Sequence, residues 1–585
     1  MDSPAAIKRP YATATATDDD DDGHVSKRIK AGASIESPAL YSEQVKKKLA
    51  AASRTGQASS LTPTPIPSSR YIGWPITRDA DPVERGPIHG TRVNILDAVI
   101  DVADFECEQM RDPRLDEPNL LNASRPSIIR SIFHFRPVPP PDFPPLQEAL
   151  QSVDLFLDMN PYVPVVHKPS FKALIARYYE QPDGVSRAEL MQLAVVQAVV
   201  LQQSATRNLT RGDEDYRKAH HYFHFALSLY REIYADASLE AMQALALLCI
   251  YLGTLPQPGE TWSFSQQVLL RLIELHYHRN PNKIALPAKE NNALGKEMRI
   301  RVFHSVLTIC VLTGCRVGLP APWQFQRIDV PLPAALRDEE ISPGGISTTI
   351  SGLCDFCPCL QLSKLLPLYT ELHNNITATR RPPAEYVKVI EALDTKILAW
   401  RQDWDASIKH EPRTSSIDIA TFLMDHWTAE FQITLHHPVC CTSTAPEVLD
   451  RNLEICHAAA KKLLQSFHHL NREYKGVDFT CHSLVGYAMG FGIALHVYRK
   501  KLARVSKEKF ENICNELNGW LSLMAYFDLV LRTGYLLQGI FRSRVQQLEE
   551  DYRTLLLDTP VTSQPAGNGS SFQNQMANGL VSPME

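Results

Sequence analysis

Apolar residues recur through most of the chain at intervals of three and four positions, which is the spacing of one face of an α-helix. Within residues 213–236, the apolar stripe consists of Tyr222, Phe225, Ala226, Leu229 and Ile233. Comparable stripes lie at 242–252, 269–273 and 302–310. Alternating patterns typical of β-strands are weak throughout, so we predict an all-α fold.

Two stretches in the C-terminal half have a tighter apolar alternation, with steps of four and three residues. The first consists of Tyr386, Ile390, Leu393, Ile397, Trp400 and Trp404. The second consists of Leu449, Leu453, Cys456, Ala460, Leu463, Phe467 and Leu470. A spacing near 3.5 residues suits helices that pack at shallow angles. Because neither stripe reaches about four heptads, we expect packing within the domain, with self-association as the alternative.

The two ends of the chain differ in composition from its middle. Residues 1–90 are rich in Ser, Thr, Pro, Ala and Asp, and residues 556–585 are rich in Ser, Gly, Asn, Gln and Pro. Such segments cannot bury enough apolar surface to offset the entropy lost on ordering. We therefore predict disordered arms on both sides of a helical region, together with a Pro-rich stretch at 137–145 that cannot be helical.

The net charge of −5 identifies no partner for the whole chain, but basic residues cluster in the N-terminal arm. We interpret the first cluster as a two-part nuclear-import signal, consisting of Lys8, Arg9, Lys27, Arg28 and Lys30. The second cluster is a candidate for phosphate contacts and consists of Lys46, Lys47 and Lys48. The alternative is that basic residues are simply common in polar tails. The import signal predicts a nuclear protein.

No segment has the pattern of a secretory signal or a membrane span. The N-terminal residues are polar, and no stretch reaches about 18 uninterrupted apolar residues. The most apolar window, residues 484–498, contains His496 and several glycines, and we expect a buried core helix there. We therefore expect an intracellular protein with no membrane partner and with twelve reduced cysteines.

Two clusters have residue types that bind metals. Cys354, Cys357 and Cys359 are spaced to share zinc, but a structural site needs a second ligand pair, and none follows nearby. We favour a loop with incidental thiols. The second cluster consists of His220, His221 and His224. Two of these imidazoles lie one helical turn apart, but the glutamate of a metalloprotease motif is missing, so we expect partly exposed histidines on a helix face.

No nucleophile, base and orienting group can be placed together from the sequence, and no phosphate-binding or dinucleotide-binding glycine motif is present. We therefore expect no catalytic residue, no metal and no cofactor. The competing hypothesis is a helical enzyme or ligand-binding protein that uses His276, His278 or the three clustered cysteines.

Four segments resemble, in the family's order, the regulatory domain of fungal-specific zinc-cluster transcription factors. Residues 154–171 (DLFLDMNPYVPVVHKPSF) resemble its opening helix and P-x-x-H-x-P-x-F turn. Residues 274–279 (ELHYHR) resemble the helix end E-L-G-L-H-R. Residues 297–303 (EMRIRVF) resemble the helix E-x-R-x-R-x-F/W, and residues 328–333 (IDVPLP) resemble the exit I-D-V-P-L-P.

Within these segments, Arg299 and Arg301 point to different faces of the predicted helix. We expect one of them in a buried ion pair and the other in solvent. The chain departs from the family pattern at two places: residues 318–320 read GLP where the family often has G-R-P, and His304 follows Phe303 where an aromatic pair is common.

The resemblance implies a domain organisation and a function. It implies a helical linker and Pro-rich segment at 91–145, a regulatory domain at 146–340 and the C-terminal helical part of the same domain at 341–555. The implied protein is a transcription regulator that controls a metabolic or secondary-metabolite gene cluster. Its implied partners are promoter DNA, the transcription machinery and a second subunit in a homodimer or heterodimer.

The zinc cluster that reads DNA in this family has no counterpart in the sequence. In one subgroup, a stretch similar to residues 46–58 leads directly into the first cysteine of the cluster, whereas here Ser59 follows and the first cysteine is Cys107. A two-zinc, six-cysteine module cannot form without its thiolates. Either the exon that encodes the cluster is missing from this version, or the protein regulates transcription without reading DNA itself. Both explanations stay open, so promoter DNA is contacted either directly or through a partner factor, and sequence-selective binding by this chain alone is not expected.

Overall fold

The computed structural model describes residues 88–89, 92–94, 99–101, 132–133, 138–207, 214–254, 258–316, 318–319, 325–347, 353–354, 356–377, 382–411, 414–441, 445–474, 481–531 and 535–558. The predicted import residues Lys8, Arg9, Lys27, Arg28 and Lys30 lie outside this part of the chain. Lys46, Lys47 and Lys48 also lie outside it, as do both predicted arms except for a few residues at their inner ends.

The described residues are predominantly helical, which confirms the all-α prediction. The helices are α1 (Leu146–Met159), α2 (Lys168–Glu180), α3 (Arg187–Arg207), α4 (Glu214–Ser228), α5 (Tyr230–Ala235), α6 (Leu239–Gly253), α7 (Pro258–Glu274), α8 (Ala293–Arg316), α9 (Cys357–Leu372), α10 (Pro383–Ile408), α11 (Ser415–Leu435), α12 (Pro446–Tyr474), α13 (Cys481–Lys501), α14 (Lys507–Leu531) and α15 (Tyr535–Asp558). A turn of π-helix, His373–Thr377, directly follows α9.

Short strands accompany the helices. An antiparallel sheet contains β1 (Ile88–His89), β2 (Arg92–Asn94) and β3 (Val99–Asp101), and a hairpin contains β4 (Ile341–Ser342) and β5 (Gly345–Ile346). Within the segment 91–145, for which a helical linker and Pro-rich stretch are predicted, the residues of β2 and β3 are extended. Val93 pairs with Ile100 across these strands, and such β-branched residues favour extended backbone.

Several helix starts are set by their local sequence. Ser238 caps α6 by accepting a hydrogen bond from Ala241 N at 3.3 Å, and Thr414 caps α11 in the same way. Ser186 and Glu189 form a reciprocal capping box before α3, at 3.2 and 2.9 Å. The described part of the Pro-rich stretch, residues 138–145, is non-helical, and α1 begins directly after it at Leu146, as the sequence predicts.

The buried side chains form two apolar cores. The first core extends from Ala149 in α1 to Leu435 in α11, and the second extends from Ala429 in α11 to Tyr552 in α15. Helix α11 therefore belongs to both: Phe431 lies in the first core and Ile433 lies in the second. Because its two faces are buried on opposite sides, α11 connects the two cores.

Both 3.5-residue stripes lie inside these cores, which confirms the prediction of packing within the domain. Every member of the first stripe, from Tyr386 to Trp404, is buried in the first core. In the second stripe, Leu453, Cys456, Ala460, Leu463 and Phe467 are buried in the second core. Residues 484–498 form part of α13, and all of them except the half-buried His496 are buried, as predicted.

Helix α8 runs through the centre of the first core. It is the one described helix that is long and apolar enough to cross a membrane, but 94% of its most apolar window is buried inside the protein. The helix also contains five buried ionisable side chains: Glu297, Arg299, Arg301, His304 and Arg316. Each of the three arginines has a carboxylate partner, which is how buried charges are tolerated in a core. These features are those of a core helix.

Candidate functional site

The first of the four family-like segments is anchored by a buried histidine. His167 precedes α2 as its N-cap, and its Nδ1 accepts a hydrogen bond from Ser170 N at 3.4 Å. Its Nε2 lies 2.7 Å from the carbonyl oxygen of Asp338, which can only accept. The ring therefore has its proton on Nε2 and donates to Asp338, 171 residues further along the chain.

The carboxylate of Asp338 connects this turn to α8. One oxygen accepts a hydrogen bond from Lys168 N at 2.7 Å, and the other accepts one from Nη1 of Arg301 at 2.5 Å. Asp338 thus contacts α2 and α8 together. No sequence motif indicated this residue, although it begins the acidic run Asp338–Glu340.

Arg301 is fully buried and has a partner for each of its polar groups. Its Nε donates to Glu297 Oε1 at 3.0 Å, and its Nη2 donates to Leu336 O at 3.3 Å. The guanidinium also lies 4.1 Å from the centre of the Phe356 ring. Burial alone would lower the pKa of Arg301, but the carboxylates of Asp338 and Glu297 outweigh it and raise that pKa.

Arg299, on the opposite side of α8, is also buried. Its Nη1 donates to Glu290 Oε2 at 2.6 Å, its Nη2 donates to Leu275 O at 2.8 Å, and its guanidinium lies 3.7 Å from the Tyr277 ring centre. The prediction that one of the two arginines is solvated is therefore wrong. Other elements enclose α8 on all sides, so pointing to a different face does not bring a side chain to solvent.

The second and fourth family-like segments pair through their backbones. The carbonyl oxygen of His278 accepts hydrogen bonds from Asp329 N and Val330 N, both at 3.2 Å. The turn that brings His278 into place passes through His276, whose φ of 61° lies in the left-handed region. The helix end at 274–279 and the exit at 328–333 therefore run side by side.

Helix α8, which contains the third segment, also contacts the exit and the residue that follows it. Glu297 Oε1 accepts a hydrogen bond from Ala334 N at 3.0 Å, and His304 Nε2 donates to Pro331 O at 2.9 Å. Burial lowers the pKa of His304 to about 4, so its imidazole is neutral near pH 7. All four segments thus meet in one buried polar network around α8.

A second buried ion pair connects the two cores. Arg316, at the end of α8, donates to both carboxylate oxygens of Glu430 on α11, at 2.8 and 3.0 Å. Gly486 of α13 lies against this pair, and a Cβ at that position would be 3.4 Å from Glu430 Oε1. The adjoining cavity has room for about one water molecule, which is too small for a metabolite. Sequence reasoning missed the pair because its members are 114 residues apart.

The clustered cysteines are not in a loop as predicted, because Cys357 and Cys359 begin α9 and only Cys354 precedes it. All three are buried, and burial raises the pKa of Cys359 to about 12. A thiol must lose its proton to bind zinc, and such a pKa opposes this. Among the described residues, no group of three His, Cys, Asp or Glu side chains is placed to hold a metal.

The histidines of α4 also differ from the prediction of partly exposed side chains. His220 and His224 are buried, with exposed fractions of 1% and 0%, and only His221 is partly exposed. His220 packs edge-on against Tyr251 of α6, and His221 Nε2 donates to Pro139 O at 3.0 Å. They are buried because α4 packs chiefly against α3 and also contacts the Pro-rich stretch and Tyr251, so more of α4 than its apolar stripe is enclosed. Of the other histidines considered, His278 has its pKa lowered, mainly by burial.

Comparison with known proteins finds a family match over the region that contains this network. Residues 153–402 match the model of the fungal specific transcription factor domain, and all four family-like segments lie inside the match. This part of the chain is therefore similar to the fungal-specific transcription factor domain. The match includes α8 and every residue of the network around Arg301, whereas Glu430 lies beyond it.

Individual relatives agree with the domain assignment. A transcription factor of Penicillium oxalicum, opdR, is 25% identical over 246 residues, which cover 41% of this chain and 28% of that protein. A putative transcriptional regulatory protein of Schizosaccharomyces pombe is 21% identical over 329 residues, which cover 54% of this chain and 38% of that protein. An ABC-transporter-regulating transcription factor of Aspergillus oryzae is 23% identical over 298 residues, which cover 50% of this chain and 32% of that protein.

The matched part of the chain thus spans about a third of the length of these curated relatives. The matched domain and the names of these relatives are those of transcription regulators. The buried network around Arg301 connects α2, α8 and the segment after the exit within the matched region.

Proposed function

We propose that this chain is a nuclear regulator of transcription that controls a metabolic or secondary-metabolite gene cluster. The observation that carries the proposal is the domain match at 153–402, together with the convergence of its four family-like segments on the Arg301 network. The names of the relatives agree with regulation of transcription, and one type is named for regulating an ABC transporter.

The chain reaches promoter DNA through a partner factor. Its sequence has no cysteine before Cys107, so the residues upstream of the domain cannot form the six-thiolate cluster that reads DNA in zinc-cluster factors. Lys46, Lys47 and Lys48 can contribute phosphate contacts, which add affinity but carry no sequence information. The helical domain supplies contacts to that partner, as a homodimer or heterodimer, and to the transcription machinery.

Regulation can be tested separately from DNA reading. The full chain is fused to a bacterial DNA-binding domain in a fungal host, with that domain's operator upstream of a reporter gene. We expect reporter output to change severalfold in either direction relative to the DNA-binding domain alone. A fusion that is nuclear and folded but leaves the reporter unchanged would contradict the proposal.

Direct DNA reading is tested by electrophoretic mobility shift. The chain is compared with a version in which a Cys-x2-Cys-x6-Cys zinc cluster is inserted after Ala58. Only the version with the cluster should select a defined duplex sequence. Sequence-selective binding by the chain alone would show that a partner is not required.

Nuclear import is tested with a fluorescent tag. Replacing Lys8, Arg9, Lys27, Arg28 and Lys30 by alanine should shift the tagged protein towards the cytoplasm. Replacing Lys46, Lys47 and Lys48 by alanine is the matched control and should leave its location unchanged. Cytoplasmic signal from the unmodified protein would favour the competing hypothesis of a helical enzyme or ligand-binding protein.

A further inference from the structure

A strongly basic surface lies where α13 ends and α14 begins. Residues 499–509 (RKKLARVSKEK), here called the basic turn, contain six basic residues and one acidic residue. The exposed basic residues of this turn are Lys500, Lys501, Arg504, Lys507 and Lys509. The chain as a whole has a net charge of −5, so this concentration of positive charge is local.

Most of this charge is not neutralised by neighbouring carboxylates. Within the part of the chain that the structure describes, Lys501, Arg504, Lys507 and Lys509 have no ion pair, and Lys500 only approaches Asp450 at 3.9 Å. Exposed side chains of this kind are available to an incoming partner at little desolvation cost.

The electrostatic field of the turn reaches the adjacent helix α12. The pKa of His457 on that helix is lowered to about 4, first by burial and then by the positive charges of Lys461 and Lys501. Lys461 has a carboxylate partner, Glu516 at 3.1 Å, whereas no carboxylate among the described residues pairs with Lys501. The charge of Lys501 is therefore close enough to act on His457.

Exposed leucines adjoin the basic turn on α15. Tyr552 of α15 donates a hydrogen bond to Val505 O in the turn at 3.3 Å, and its ring stacks on Phe510 with centroids 3.8 Å apart. Leu555 and Leu556 follow Tyr552 by three and four residues, so they lie one helical turn further along the same face. The exposed fractions of Leu555, Leu556 and Leu557 are 39%, 54% and 85%.

Acidic side chains also lie near the turn: Glu508 within it, Glu511 early in α14, and Glu549, Glu550 and Asp551 on α15. Glu549, one turn before Tyr552, is already paired with Arg553 at 3.4 Å. Glu508 is the single acidic residue of the turn itself and is surrounded in sequence by Lys507 and Lys509.

We propose that the basic turn and Leu555–Leu557 form one docking surface for an acidic peptide segment with bulky apolar side chains. Carboxylates of such a segment pair with Lys501, Arg504 and Lys507, and its apolar side chains cover the leucines. A nucleic-acid backbone would use the cations but would leave the leucines exposed. The adjacency of both features therefore favours an acidic, apolar peptide over nucleic acid.

The test measures binding of a fluorescein-labelled peptide of alternating aspartate and leucine pairs to the full chain, by anisotropy at low and high salt. A peptide with serine in place of leucine, a duplex DNA and a vesicle of anionic lipid are the comparison probes. We expect the aspartate–leucine peptide to bind at least about tenfold more tightly than the serine peptide, with an affinity that falls as salt is added.

Two double variants separate the contributions. The first variant removes two cations of the turn and combines Lys501→Glu with Arg504→Glu. The second removes two leucines and combines Leu556→Ser with Leu557→Ser. Each double variant should weaken peptide binding at least about tenfold. The matched controls are Lys409→Glu, an exposed lysine without an ion pair among the described residues, and Leu270→Ser, a leucine with 55% exposure on α7. The controls should retain affinity within about twofold.

All substituted side chains are exposed, so the variants should keep the thermal midpoint of the unmodified chain, which is checked by circular dichroism. The proposal is overturned if the peptide does not bind at low salt. It is also overturned if the serine peptide or the duplex binds equally well, because the leucines would then play no part. Equal or tighter binding to the vesicle would reassign the surface to a lipid membrane.

Discussion

Arg301 shows how a single side chain can hold distant parts of a chain together. It has no exposed surface and connects Glu297 on its own helix to Asp338 and Leu336 after the exit segment. Removing one member of a buried ion pair leaves the other charge without compensation, which costs about 3–5 kcal/mol.

We therefore expect Arg301→Leu to lower the free energy of unfolding by about 3–5 kcal/mol, measured by urea denaturation. Arg553→Ala is the control, because its pair with Glu549 is a solvent-exposed one on the surface of α15 and should contribute less than about 1 kcal/mol. Equal effects of the two substitutions would show that the Arg301 network does not hold the domain together.

The buried His304 predicts a pH dependence of stability. Its pKa in the folded protein is about 4, below the ordinary value of 6.5 that applies in the unfolded chain. Below pH 6.5 the unfolded state therefore binds a proton that the folded state does not. Stability is fully present above pH 6.5 and is lost as the pH falls towards 4, by up to about 3 kcal/mol.

His304→Phe should flatten this dependence between pH 6.5 and 4, as followed by urea denaturation at a series of pH values. The variant also loses the hydrogen bond to Pro331 O, so its stability at pH 7 should fall by about 1 kcal/mol. A smaller slope should persist because burial also lowers the pKa of His457 to about 4. If the full slope persisted in the variant, His304 would not be its source.

At the scale of elements, α13 and α14 approach each other closely because a glycine faces a tryptophan. A Cβ at Gly490 would lie 2.7 Å from Cη2 of Trp520, which is fully buried. Gly490→Ala therefore forces a shift of the indole or the helix and should destabilise the protein by about 1–3 kcal/mol in thermal or urea denaturation.

Gly539→Ala on α15 is the matched control, because a Cβ there meets no atom within 4 Å. It should be neutral or stabilise by up to about 1 kcal/mol, since alanine restricts the unfolded chain. Trp520→Phe combined with Gly490→Ala should recover part of the loss. Without such recovery, the clash would not explain the effect.

The elements were largely predictable because local periodicity determines them. The stripes that include Trp400 and Phe467 marked faces that are indeed buried. Periodicity indicates which face of a helix is apolar, but it does not indicate how many neighbouring elements enclose that helix. For this reason the sequence predicts more exposure for Arg299 and His220 than the structure shows. The partners Asp338 and Glu430 gave no local signal, because they lie 37 and 114 residues from the arginines that they bind.

At the scale of the whole molecule, the domain match ends inside α10, but the first core does not end there. Residues 153–402 are matched, whereas the core continues through Trp427 and Phe431 of α11. Arg316 of the matched part is neutralised by Glu430, which is outside it. The matched segment by itself would expose both an apolar face and a buried charge.

We therefore predict that fragment 138–402 does not fold cooperatively, whereas fragment 138–558 does. The comparison uses far-ultraviolet circular dichroism and urea denaturation of both fragments. Fragment 138–441 is the informative intermediate, because it restores α11 and the partner of Arg316 but leaves the face of α11 around Ile433 uncovered. It should recover helicity while associating with itself. Cooperative unfolding of 138–402 with an unchanged midpoint would instead show that the C-terminal helices are a separate folding unit that α11 merely adjoins.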